Sequence, residues 1–160
     1  MNFHKLLNLL NVRLAWLAGV ALILMMLLSV ANIVLRLAHH PLGGTAEIVG
    51  WLSALTAAFA LGYTHQYRGH VAIDLFIDRL PKRPRAFVDA IVAFVTGVLF
   101  ALAAWQVGVL AYRLTRLGKL SETTHVSYAP FTYAVAFGLA CLTLVAIADL
   151  FKLVKGDFSR

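Results

Sequence analysis

Residues 14–35 read LAWLAGVALILMMLLSVANIVL, which is 22 consecutive positions without an Asp, Glu, Lys or Arg. At about 1.5 Å per residue, a helix of about 20 residues crosses the roughly 30 Å hydrocarbon core of a bilayer. A charge at mid-bilayer is costly, so this stretch predicts a membrane-spanning helix. Because its apolar region is longer than the roughly 7–15 residues of a signal peptide, we expect the helix to be retained.

Three further charge-free runs follow, at residues 48–67, 90–112 and 123–148. The chain is 61% hydrophobic and only 13% charged, whereas soluble globular domains are nearer half apolar and a quarter charged. We therefore predict an all-α integral membrane protein, a single four-span domain over residues 1–160. The predicted spans cover, approximately, residues 14–36, 46–66, 86–112 and 125–150.

The basic residues predict the orientation. The N-terminus, the second connection and the C-terminal tail share one side and carry ten Lys and Arg, against four on the other side. The positive-inside rule then places both termini in the cytoplasm. The net charge of +7 fits basic loops beside anionic membrane lipids rather than a nucleic-acid partner.

Two connecting segments have the spacing of short amphipathic helices. Apolar residues recur at helical intervals over residues 3–14, which predicts a segment that lies on the membrane surface or runs into the first span. A second interfacial helix is predicted over residues 74–80, where Asp74 can cap the start and Pro81 ends it. The alternative for these segments is that they are simple loops.

The first two spans form a predicted hairpin with polar residues at its turn. Asn32 and Arg36 lie one turn apart at the end of the first span, and Glu47 begins the second. One hypothesis is that Arg36 and Glu47 form an ion pair that fixes the hairpin. The alternative is that Arg36 reaches the lipid headgroups while Glu47 faces water. Trp51 is expected to be an interfacial anchor or a packing residue.

Small residues four apart predict where helices approach closely. The second span offers Ala54, Ala58 and Gly62, and the third has Ala93 and Gly97 among others. In lipid, helices associate through such close backbone approach.

The second connection contains Arg68, His70 and Asp74 in the order Arg-Gly-His-Val-Ala-Ile-Asp. These residues are candidates either to bind a ligand or to hold the entry of the interfacial helix. The structural role is favoured because Asp74 has a capping position and Gly69 permits a tight turn.

Enzymatic and cofactor chemistry have little support in the sequence. Six histidines lie near the predicted span ends, and His39 or His40 with His125 is the one plausible outer pair. A bis-histidine haem protein instead places its histidines within the bundle. The lone Cys141 excludes an internal disulfide. We expect no cofactor, no bound metal and no enzymatic activity.

The middle of each span also lacks charged residues and helix-breaking prolines. No charge and no proline lies near the midpoints at about Met25, Ala57, Ala101 and Ala136. A transporter that works alone usually carries an ionisable residue or a broken helix at that depth. The pattern therefore favours a partner subunit over a permeation path.

An ordered series of short motifs resembles a known family, the DctQ-type small membrane subunit of TRAP (tripartite ATP-independent periplasmic) transporters. Asn32 and Arg36 end the first helix, Glu47 and Trp51 open the second, and Gly62 lies near its end. A loop reading His70-Val71-Ala72-Ile73-Asp74 and a stop at Leu80-Pro81 complete the series. The second half of the chain matches in hydropathy and length only.

The resemblance implies a scaffold role in the bacterial inner membrane. In this family a large polytopic subunit carries substrate and sodium, and a soluble periplasmic binding protein delivers the substrate. The small subunit would support the large one and help form the docking surface for the binding protein. From the predicted topology alone, we hypothesise that the outer loops at residues 39–45 and 117–125 take part in docking. Two rivals are a haem-binding electron-transfer subunit and a stand-alone small exporter that uses Glu47.

Overall fold

The structure is a computed structural model that describes residues 3–40, 42–66 and 82–154. Four helices make up most of these ranges: α1 (Phe3–Leu37), α2 (Thr45–Gln66), α3 (Lys82–Leu117) and α4 (Ala129–Val154). Each contains a segment long and apolar enough to cross a membrane. The predicted all-α, four-span fold is therefore confirmed.

The helix bounds differ from the predicted spans at several ends. The amphipathic lead-in is continuous with the first span, so α1 runs for 35 residues from Phe3. Helix α3 extends beyond its predicted span in both directions, while α4 begins at Ala129 rather than at 125. The later start reflects a turn closed by a bridge between Leu120 and Ser127. The interfacial helix predicted at residues 74–80 lies outside the described residues.

Helices α1 and α3 end with the same hydrogen-bond pattern. The His40 N–H donates to the Leu35 carbonyl at 2.9 Å, and the Lys119 N–H donates to the Leu114 carbonyl at 3.3 Å. Each bond joins residues five positions apart and encloses one residue with a left-handed backbone conformation, as in the Schellman motif. That residue is Gly118 in α3 (φ 59°) but His39 in α1 (φ 61°). These sharp ends let each helix turn back within a short connection.

The helices lie in the spatial order α1–α2–α4–α3. Helix α4 packs against both α3 and α2, and α2 packs against α1, whereas α1 and α4 touch at only a few positions. The buried share of the membrane-spanning segment is 44% in α4 and between 11% and 17% in the other three. The arrangement is thus an open row, with α4 inside it and large apolar faces of α1 and α3 exposed.

Small residues set the close approaches between neighbouring helices. A Cβ atom added to Gly138 would lie 3.0 Å from the Ala58 carbonyl oxygen. The α4 backbone therefore lies directly against α2 at this position. A Cβ added to Gly62 would lie 2.7 Å from the side-chain oxygen of buried Asn11 on α1. Gly62 therefore lies at the seam between α1 and α2, where a larger side chain has no room.

Candidate functional site

The connections between α1 and α2 and between α3 and α4 lie together at one end of the row, which we call the loop end. The opposite end, the termini end, has the start of α1 and the finish of α4. At the loop end, side-chain hydrogen bonds join residues that are far apart in the sequence.

Glu47, Ser121 and Thr124 form a hydrogen-bonded group that we call the loop-end cluster. The Ser121 hydroxyl donates to the Glu47 carboxylate, and the Thr124 hydroxyl lies 3.3 Å from the same oxygen. The Thr124 N–H donates to the Ser121 oxygen at 3.2 Å. Ser121 is only 2% exposed, so its hydroxyl depends on these partners. The cluster joins the first turn of α2 to the α3–α4 connection.

Gly44 allows the two connections to approach each other. Its backbone has φ 77°, a left-handed conformation that glycine adopts without steric cost. A Cβ atom at this position would overlap the Thr124 methyl carbon. Both the turn and the contact with Thr124 therefore require glycine.

Trp51 lies in the second turn of α2 and makes aromatic contacts to the start of α4 and to the residue before it. Its ring stacks on Phe131 with centroids 4.6 Å apart and meets the edge of Tyr128 at 5.5 Å. Such pairs add to the apolar area that an aromatic side chain buries. Of the two roles expected for Trp51, the structure shows the packing role directly.

Asn32 closes the α1–α2 connection rather than contacting another helix. Its side-chain oxygen accepts a hydrogen bond from the Leu42 N–H at 3.0 Å. The Thr45 hydroxyl donates to the Leu42 carbonyl at 2.9 Å. These two bonds position the turn from which Glu47 reaches the cluster.

The hypothetical ion pair between Arg36 and Glu47 is absent from the part of the chain that the structure describes. Arg36 is exposed at the end of α1, while the Glu47 carboxylate is directed to Ser121 and Thr124. The reason is geometric, because the hydroxyl groups come from the α3–α4 connection, which lies directly over the start of α2. Glu47 therefore joins the two hairpins to each other instead of fixing the first one.

Sequence reasoning missed Ser121 and Thr124 as partners of Glu47. The available signal was the run Ser-Glu-Thr-Thr at residues 121–124, which supplies hydroxyl donors in a short connection. Nothing in the spacing indicates that this connection lies on α2 rather than on the end of α1.

Several exposed side chains of the loop end are basic or are histidines. Arg113, Arg116 and Lys119 are exposed around the end of α3, and the Arg116 guanidinium lies 5.8 Å from the Tyr112 ring centre. His39, His40 and His125 are also exposed. Within residues 3–40, 42–66 and 82–154, no three His, Cys, Asp or Glu side chains are grouped as metal ligands.

Several hydroxyl groups within the spans donate to backbone carbonyls. The Thr143 hydroxyl donates to the Leu139 carbonyl of its own helix at 3.0 Å. The Thr56 hydroxyl donates instead to a neighbouring helix, since it lies 3.4 Å from the Ala18 carbonyl oxygen of α1. These contacts support helix packing and do not form a charged mid-membrane site.

Arg68, His70 and Asp74 lie outside the described residues, so their predicted roles in the second connection stay predictions. The other sequence candidates fall into two groups. Asn32, Glu47 and Trp51 lie at the loop end near the two connections, and Gly62 lies near the termini end of α2.

Comparison with known proteins identifies the family. Residues 25–156 match the family described as "Tripartite ATP-independent periplasmic transporters, DctQ component". No curated protein matches the chain. The matched range includes the second part of α1, from residue 25 to Leu37, and the whole of α2, α3 and α4 as far as Val154. This is a family of transporter components rather than of enzymes. The chain therefore belongs to the DctQ family, the small membrane subunit of tripartite ATP-independent periplasmic (TRAP) transporters.

Proposed function

We propose that this chain is the stationary scaffold of a sodium-coupled, binding-protein-dependent uptake transporter in the bacterial inner membrane. Its partners are the large polytopic subunit, which carries substrate and sodium, and a periplasmic binding protein. The chain itself holds no cofactor, sodium or substrate. One observation carries this proposal: the spans have no charge at mid-membrane, so the chain offers no polar path across the bilayer.

The packing of the row supports a scaffold role. Helix α4 is fixed against α2 by the close approach at Gly138, and the loop-end cluster joins the two hairpins. A transport subunit that moves needs a rigid neighbour to move against. The exposed apolar faces of α1 and α3 leave large surfaces for lipid or for such a neighbour.

The first experiment tests the partner. The tagged chain is extracted in mild detergent from cells that express the complete transporter, and copurifying proteins are weighed and quantified. We expect one much larger polytopic protein in a one-to-one ratio. Substrate uptake into liposomes should then require both membrane proteins, the binding protein and a sodium gradient. Uptake by this chain alone would overturn the proposal, and a Soret band in the purified chain would favour the haem-binding rival.

The second experiment tests docking at the loop end. Lys119→Glu reverses an exposed charge of the α3–α4 connection. We expect uptake to fall several-fold at low binding-protein concentration and to recover at high concentration, with the membrane complex intact. The control is Thr115→Ser, which keeps the hydroxyl bonded within α3. Unchanged uptake by Lys119→Glu and by charge reversal at Arg116 would contradict a docking role.

A further inference from the structure

A groove runs along the membrane-facing side of the α1–α2 seam toward the termini end. It has a volume of about 360 Å³ and is lined almost entirely by apolar surface of α1, from Val12 to Ile23, with Tyr63 of α2 as a wall. Gly19 forms part of its floor, and an added Cβ atom there would meet nothing within 4 Å. The groove is therefore open space beside a helix, not a contact between α1 and α2.

The depth of the groove in the bilayer follows from the charges of α1. Arg13 and Arg36 border the charge-free segment 14–35, and about 1.5 Å per residue places them roughly 35 Å apart. That separation matches a hydrocarbon core of about 30 Å, so Arg13 lies at the headgroup level of the termini side. Val12 to Ile23 then covers about 16 Å along the helix, close to the thickness of one leaflet.

The basic residue Arg13 directly follows Val12, the first of the lining residues along α1. Arg13 is exposed, and its spacing from Trp16 places both side chains on one face of α1. Trp16 lines the groove and is 75% exposed. An amphipathic indole near a basic side chain is typical of the membrane interface, where a cation can contact a lipid phosphate.

From these observations we propose that the groove is a binding site for one phospholipid of the leaflet at the termini end. One acyl chain lies along α1 over Gly19 toward Ile23, and Arg13 contacts the phosphate. The charge of Arg13 distinguishes this occupant from a helix of another protein, because an apolar membrane helix offers no phosphate at that depth. The site lies away from the loop-end cluster, so it is independent of the proposed docking role.

The test counts retained lipids. The full chain is extracted in mild detergent and reconstituted into vesicles of phosphatidylethanolamine and phosphatidylglycerol, so that these lipids replace the original ones. It is then extracted again, and its mass with any retained lipid is measured by native mass spectrometry. We expect one phospholipid to remain on the unmodified chain. Gly19→Leu fills the groove and should abolish retention, while Arg13→Gln should lower it several-fold.

The matched control is Gly108→Leu, because Gly108 lies on α3 and an added Cβ there also meets nothing within 4 Å. It should retain the phospholipid as the unmodified chain does. Equal retention in Gly19→Leu and Gly108→Leu, or none in the unmodified chain, would overturn the proposal. Loss of a copurifying polytopic protein in Gly19→Leu, with no phospholipid on the unmodified chain, would assign the groove to a partner helix instead. If Gly19→Leu fails to fold, the exposed substitution Arg13→Gln still decides the outcome.

Discussion

At the residue scale, the buried Ser121 hydroxyl connects the two hairpins through Glu47. Ser121→Ala removes its hydrogen bonds to Glu47 and Thr124, and we expect a loss of about 1 kcal/mol in the free energy of unfolding. Thermal unfolding in detergent measures this loss. In a double-mutant cycle, Ser121→Ala should weaken the effect of Glu47→Gln, because the two side chains share one interaction. Glu122→Gln, at an exposed carboxylate in the same connection, is the control. Strictly additive losses for Ser121 and Glu47 would contradict the cluster.

Gly44 gives a second prediction at this scale. Gly44→Ala places a side chain on a left-handed backbone and against Thr124, and the backbone effect alone costs about 1–2 kcal/mol. Gly43→Ala is the natural control, because its added Cβ would lie 4.0 Å from Thr123. Thr124→Ala removes the methyl group and should relieve part of the loss in the Gly44→Ala background. Equal melting temperatures for the two alanine variants would show that the connections do not meet as described.

At the element scale, hydropathy predicted four helices but not their order in space or their exact ends. Charge-free length is a property of each segment, so it locates spans at residues such as 14–35 without reference to neighbours. Helix ends depend on local geometry, as where the Leu120–Ser127 bridge delays the start of α4. The partners of Glu47 depend on which connection lies over α2. The hypothesis that Glu47 pairs with the nearby Arg36 therefore missed Ser121 as its partner.

The contact between α2 and α4 gives a prediction at the same scale. Gly138→Ala puts a methyl group about 3.0 Å from the Ala58 carbonyl oxygen, and overpacking of this kind costs about 1–3 kcal/mol. Gly108→Ala adds the same group where space is open, so it should be neutral or stabilise α3 by about 0.5–1 kcal/mol through helix propensity. Unfolding of the isolated chain in detergent compares them. The opposite order of stability would mean that α4 does not lie against α2 at this depth.

At the scale of the whole molecule, the open row of helices has no charged residue at mid-membrane. Polar contacts join its connections at the loop end. An isolated four-helix protein would gain by closing into a bundle that hides its apolar faces from water, but lipid removes that driving force. The row can therefore leave α1 and α3 exposed while α4 takes the central place. Lateral surfaces are then available to other membrane components, and the loop end is available to soluble ones.

The docking role requires the loop end to face the periplasm, which gives the last prediction. The N-terminus, the second connection and the C-terminal tail carry ten Lys and Arg, against four in the other two connections, so the positive-inside rule predicts that both termini lie in the cytoplasm. Green fluorescent protein fused to either terminus should fluoresce, and alkaline phosphatase fused there should be inactive. Phosphatase inserted after Gly118, in the exposed α3–α4 connection, should be active. The reverse result would put Lys119 and the loop-end cluster in the cytoplasm, where no periplasmic binding protein can reach them, and would remove the docking proposal while leaving family membership unchanged.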